Sequence, residues 1–296
     1  MMKKIFFSII FLSLVGFGCS PQVSETEVKI TTEAVNLQAG SAIILKQTVF
    51  GLGGVFAETV SGDNLAEYQL AISSFTPSQG TAFSWTGTTK QETAASVAAR
   101  EAFAAVDHPI GDTTKAPEAA YETLTKTGVY TTSALAEATK VSLPAYWIDG
   151  EQNFSDSSLI WLSKKQYDEL VNTKVTTLSL GLLDTKLSDL VGMTDSIKNA
   201  INALQQKADQ ASAGQDVYKL TAENNWKNYS LSIDGVEKTV QAIGASNWFG
   251  SYLILANPNN PLVLKATLNP FALGSLDLSS PLSSFLGYEV TEIKTK

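Results

Sequence analysis

The sequence predicts a mainly β protein of the α+β kind, an antiparallel β-sandwich or barrel-like domain with a helical insertion. Three observations lead there. Apolar and polar residues alternate with period two in short runs such as Tyr68-Leu70-Ile72 and Phe83-Trp85, as in strands with one buried face. Asp234-Gly235 separates the strand-like runs 229–233 and 236–243, which is the signal of a two-residue hairpin. One long stripe at helical spacing, Leu190, Met193, Ile197, Ile201, Leu204 and Ala208, interrupts this strand-rich chain.

Taken in order, residues 41–50 read as a strand. Gly51-Leu52-Gly53-Gly54 then marks a turn or bulge, and the strand resumes over 55–60. After the turn Ser61-Gly62-Asp63-Asn64 come the two alternating runs around Leu70 and Trp85. Ala94, Val97, Ala98, Ala102, Ala105 and Val106 predict a helix, with Thr93 as its N-cap and Pro109 preventing its continuation. Pro117 suits the first turn of a helix reaching Leu124, and 133–140 suits a shorter one. Residues 107–142 are otherwise weakly patterned and are expected to hold the longest loops.

Strand character returns at 145–148 and 159–162. Ser163 and Gln166 form a capping-box pair for a short helix through Val171, and 175–180 reads as a strand. The helical insertion is expected over 189–213, ended by Gly214. Strands follow at 251–256 and 262–268, joined sharply through Asn257-Pro258-Asn259-Asn260-Pro261, and 286–293 closes the set.

The N-terminus carries an address. Lys3 and Lys4 precede an apolar run over 5–15, and Gly16-Phe17-Gly18 leads into Cys19, the single cysteine. This pattern resembles the signal of bacterial lipoproteins, although Gly16 stands where Leu, Val or Ile is usual. The resemblance implies cleavage after residue 18 and acylation of Cys19, the lipid attachment residue, with membrane anchorage through its acyl chains. The run is shorter than the ~20 residues a spanning helix needs. Residues 19–40 then read as the lipidated N-terminus and a flexible tether, and 41–296 as the β-rich globular domain. The implied location is the bacterial cell envelope, outside the cytoplasm, periplasmic or surface-exposed.

Composition narrows the partners. Removal of the signal takes Lys3 and Lys4 and no acid, moving the formal charge from −8 to about −10. No concentrated basic patch offsets this, so nucleic acid is excluded as an expected partner. A lone cysteine supplies no intramolecular disulfide.

Two segments resemble recurrent stretches of uncharacterised exported bacterial β-rich envelope proteins. One is Leu159-Ile160-Trp161-Leu162-Ser163 with Tyr167 and Leu170. The other is Leu253-Ile254-Leu255-Ala256-Asn257 with Asn260-Pro261-Leu262-Val263-Leu264-Lys265. The resemblance extends over about 41–293 and treats the 189–213 helix as an addition. It implies an envelope β-domain and no particular activity.

The sequence offers no catalytic set, cofactor motif or metal motif. His108 is the single histidine, and no G-x-S-x-G elbow accompanies it. Asp149, Glu151, Asp156 and Asp168 are the acids from which a glycosidase-like pair would be drawn. Residues 149–153 are dense in oxygen donors but lack the EF-hand pattern. Trp226, Trp248 and Phe249 lie near predicted strand ends and are the candidate ligand-binding rings. The expectation is therefore a binding or assembly module for an envelope protein or glycan. A carboxylate hydrolase of envelope polysaccharide is the alternative.

Overall fold

The structure, a computed structural model, describes residues 35–48, 66–106, 114–144, 147, 149–181, 195–269 and 287–295. The expected signal, Cys19, the strand at 55–60, residues 145, 146 and 148, and the start of the insertion at 189–194 lie outside them. The strands are β1 (Ala42–Gln47), β2 (Glu67–Thr76), β3 (Gly80–Glu92), β4 (Tyr121–Thr132), β5 (Lys140–Val141), β6 (Gly150–Phe154) and β7 (Val175–Thr177). They continue with β8 (Ser179–Leu180), β9 (Lys219–Ala222), β10 (Lys227–Ile233), β11 (Val236–Asn247), β12 (Gly250–Leu255), β13 (Val263–Leu268) and β14 (Gly287–Lys294). The helices are α1 (Ala94–Ala104), α2 (Lys164–Thr173) and α3 (Asp195–Ser212).

A closed barrel of five strands organises the molecule. β10 and β11 form the predicted hairpin, with Asp234 and Gly235 at φ 53° and 77°, as a type I′ turn requires. β11 through β14 then pair antiparallel in sequence order. β14 returns to β10 in parallel, Ser232 opposite Glu292 and Ile233 opposite Ile293, and this closes the ring. β13 and β10 thus share one edge of β14, and its other edge takes β1. From there β1, β2, β3, β4 and β6 extend as a wing, while β9 and β7 extend from β11.

Wing and barrel share one apolar core. Ile43, Leu45, Leu70, Ile72, Phe83, Trp85 and Tyr130 point inward and are buried. Glu67, Gln69, Thr86 and Thr127 on the same strands are exposed, the one-sided pattern of an antiparallel sheet. Two glycines let large rings lie on this sheet. A Cβ at Gly128 would stand 2.5 Å from Trp85 Nε1, and one at Gly87 would stand 2.7 Å from the Tyr68 ring. Trp147 meets Tyr130 at 5.2 Å and Trp85 at 5.5 Å between ring centroids, completing an aromatic cluster.

A second anchor lies between barrel and wing. Residues 159–162 were expected as a strand. They form instead a buried turn, with Leu159 at φ 57° and the Trp161 amide donating to Ser158 O. Only an isolated bridge, Trp161 to Leu262, remains of strand pairing. Trp161 Nε1 donates to Asn260 Oδ1 at 2.8 Å. The side-chain amides of Asn260 and Asn257 both donate to the Val35 carbonyl, at 3.1 and 3.3 Å. Val35 and Leu37 are buried and Gly40 N donates to Ile72 O. Residues 35–40, assigned by sequence to the tether, are therefore part of the fold. α2 begins as predicted, with the capping box between Ser163 and Gln166 complete.

Other expectations change. The helix expected from Pro117 to Leu124 is absent, and β4 occupies 121–132 within the region expected to be loops. Lys126, which is exposed, and Gly128 occupy the positions that alternate with Leu124 and Tyr130 and so hide the apolar period, and Gly128 is where the Trp85 ring needs room. The segment 133–140 makes a single turn, Ala138 N to Ala134 O. Residues 175–180 split between β7 and β8, which belong to different sheets. α1 has its Thr93 cap, but its alanine stripe is exposed and Ser96 is its buried residue. α3 is observed over Asp195–Ser212 and buries Ala208.

Candidate functional site

The polar groove at the outer end of the wing is the candidate site. It is an open depression of about 640 Å³. β2 contributes Ser74 and Thr76, β3 Ala82, β4 Thr131 and β6 Asn153, with Ser78, Gln79, Ser133 and Ala136 from the flanking turns. None of its described lining residues is charged.

Local sequence explains the shape. Pro77 and Ser78 turn the chain between β2 and β3, with Ser78 at φ 60° and Gln79 N donating to Thr76 O at 3.1 Å. Pro at the first central position and positive φ at the second are the features of a type II turn. Gly80 allows β3 to close on β4, since a Cβ there would stand 2.4 Å from Thr132 O. The register then sets Ser74 opposite Ala82, Ala82 opposite Thr131, and Thr131 opposite Asn153. Four strands thus present one row about 14 Å wide, at roughly 4.8 Å per strand.

Some lining groups are committed to the scaffold. Thr81 Oγ1 donates to Ser74 O at 3.0 Å, and Thr132 Oγ1 donates to Ser157 O at 2.6 Å while accepting from Ala134 N. The side chains of Thr76, Ser78, Gln79, Ser133 and Asn153 make no hydrogen bond among the described residues. Two amides and three hydroxyls thus offer both donors and acceptors to solvent. Behind Ser78 lies a crevice lined by Phe75 and Trp161, whose rings are 5.7 Å apart.

The residues singled out by sequence lie elsewhere. Phe249 is buried against Tyr218 and Trp248, at 5.6 and 5.0 Å, so its ring belongs to the core. Trp248 is half-buried and Trp226 is 44% exposed. Trp226 precedes Lys227, which pairs with Ala242, whereas Trp248 follows Asn247. The intervening strand is roughly 16 Å long, and the three rings do not form one platform.

The acids are held separately. Asp149 Oδ1 accepts from Thr127 N at 2.9 Å, Asp156 pairs with Lys140 at 3.0 Å, and Asp168 pairs with Lys164 on the surface of α2. Glu151 is exposed on β6 opposite Val129. None of the four lines the groove. Residues 150–153, the greater part of the oxygen-rich 149–153 segment, lie in β6, where successive side chains leave opposite faces and do not converge.

The tyrosines with raised pKa values are structural. Burial pushes Tyr68 up to about 12. Tyr167 is also raised to about 12, by burial first and then by the charge of Asp168. Tyr229 and Tyr288 are raised further, chiefly by burial, and donate to the carbonyls of Val290 and Val263.

The groove itself was not legible in advance. Its signal is a set of small polar residues at the ends of four strands, which carries no spacing motif. No protein-family model, curated protein or solved structure matches this chain.

Proposed function

We propose that this protein is a bacterial envelope lipoprotein, anchored through acyl chains on Cys19, whose β-domain is a non-enzymatic binding or assembly module. The observation that carries the binding role is the contrast between the groove and the acids. Uncommitted hydrogen-bonding capacity is gathered in one concave surface, while Asp149, Asp156 and Asp168 are each tied to a separate partner. A carboxylate hydrolase needs two acids facing one substrate bond. Among the described residues, these acids instead make local ties.

The anchor rests on the N-terminal pattern ending at Cys19 and on the solitary cysteine. Among the described residues no helix is long and apolar enough to cross a membrane. Two acyl chains would suffice for stable attachment, each buried methylene contributing ~0.8 kcal/mol. The domain would then face an envelope protein or glycan outside the cytoplasm.

In-cell crosslinking of the full chain, together with metabolic labelling by an alkyne fatty acid, tests this reading. The expected result is label that disappears in Cys19→Ala and a stoichiometric protein or glycan adduct on the native chain. An unlabelled protein would refute the anchor. Hydrolysis of an envelope polysaccharide, abolished by Asp149→Asn or Glu151→Gln, would refute the non-enzymatic role.

A further inference from the structure

We infer that the groove on β2, β3, β4 and β6 is a binding site for a neutral saccharide. The inference rests on the binding-module reading and assigns that module a site and a ligand class. The lining decides the class. Its described residues include no charged side chain to select an ionic ligand and no apolar side chain larger than alanine to select an acyl chain. What it presents are hydroxyls and side-chain amides, which both donate and accept. A saccharide has the same mixture on every ring, so neutral donors and acceptors on both partners find complements without burying a charge.

Gln79 and Asn153 are the expected anchors. Gln79 lies in the β2–β3 turn, and Asn153 lies on β6 at the end of the row Ser74-Ala82-Thr131. Neither side chain has a partner among the described residues, and both are exposed. Gly80, Ala82 and Thr131, all small, lie between them. The row is ~14 Å wide at strand spacing, which suits a short oligosaccharide lying across the strands.

The test is calorimetric titration of the purified full chain with chitotriose, maltotriose and a galacturonic acid trimer. It is repeated on Gln79→Ala, Asn153→Ala and the double variant, with thermal melts to show that each folds. Saturable binding of a neutral trimer is expected, weakened roughly tenfold by each single change, as the loss of one hydrogen bond predicts. The uronic trimer should bind more weakly than the neutral one. Preference for the uronic trimer, indifference to both substitutions, or no binding of either neutral trimer overturns the inference. A defined protein crosslinked to the native chain, with no saccharide bound, overturns the saccharide site while leaving the binding-module reading intact. Absence of both overturns the two together.

Discussion

Removing the Asn260 side chain tests what joins the N-terminal segment to the barrel. Asn260 is 1% exposed and makes two buried bonds, accepting from Trp161 Nε1 at 2.8 Å and donating to Val35 O at 3.1 Å. In Asn260→Ala the Val35 carbonyl keeps the 3.3 Å bond from Asn257, whereas the indole N–H loses its acceptor. An orphaned buried donor costs ~1–3 kcal/mol and a lost second bond ~0.5–1.5 kcal/mol, so about 2–4 kcal/mol in all. For a domain of this size that lowers the melting temperature by roughly 5–12 °C. Urea unfolding followed by far-ultraviolet circular dichroism measures the loss. Trp161→Phe removes the donor, so in that background Asn260→Ala should cost at least ~1 kcal/mol less. A cost below ~0.5 kcal/mol, or strict additivity of the two changes, would refute the argument.

Three further outcomes follow from the geometry. Gly287→Ala should destabilise by at least ~3 kcal/mol, because φ is 140° and the new Cβ would stand 1.9 Å from Ala266 O; a melting temperature within error of the parent's would count against it. Ser163→Ala should cost about 1 kcal/mol by removing the N-cap acceptor for Gln166 N, with Thr restoring most of the loss; chemical denaturation of the three proteins decides. Alkaline stability should fall between pH ~10 and ~12. Tyr68 and Tyr167 are raised to about 12 in the fold, so their neutral forms contribute fully below the ordinary phenol range and lose that contribution as pH rises toward 12. Phenolate absorbance should then rise together with loss of circular dichroism, and ionisation near 10 with the fold intact would contradict it.

The elements legible in the sequence were those defined by local chemistry. The Asp234-Gly235 hairpin, the Thr93 cap and the Ser163–Gln166 capping box each need only a few neighbouring residues. β4 is not legible because Lys126 and Gly128 break the apolar alternation between Leu124 and Tyr130, and the reason for Gly128 is Trp85 on the next strand. The run 159–162 has a strand's composition, yet its place is a buried turn held by Ser158 and by Leu262 from the barrel. Closure of the barrel depends on the parallel pairing of Ser232 and Ile233 with Glu292 and Ile293, some sixty positions away, and no local pattern encodes it. The groove was hidden for the same reason, since Ser74, Thr131 and Asn153 become neighbours only through registers across four strands.

The shared strand β14 has a consequence for the order of assembly. It pairs with β1, β10 and β13, so the earliest described strand and the five-strand ring both wait on the last strand in chain order. A chain that emerges from its N-terminus forward can form the β2–β3–β4 meander and the β10–β13 hairpins early, but it leaves β1 with one open edge and the ring unclosed. Contacts between distant segments form slowly because their loop-closure entropy must be overcome first. Such a chain completes neither its ring nor the edge of β1 until β14 arrives, so truncation before residue 287 should leave both open at once.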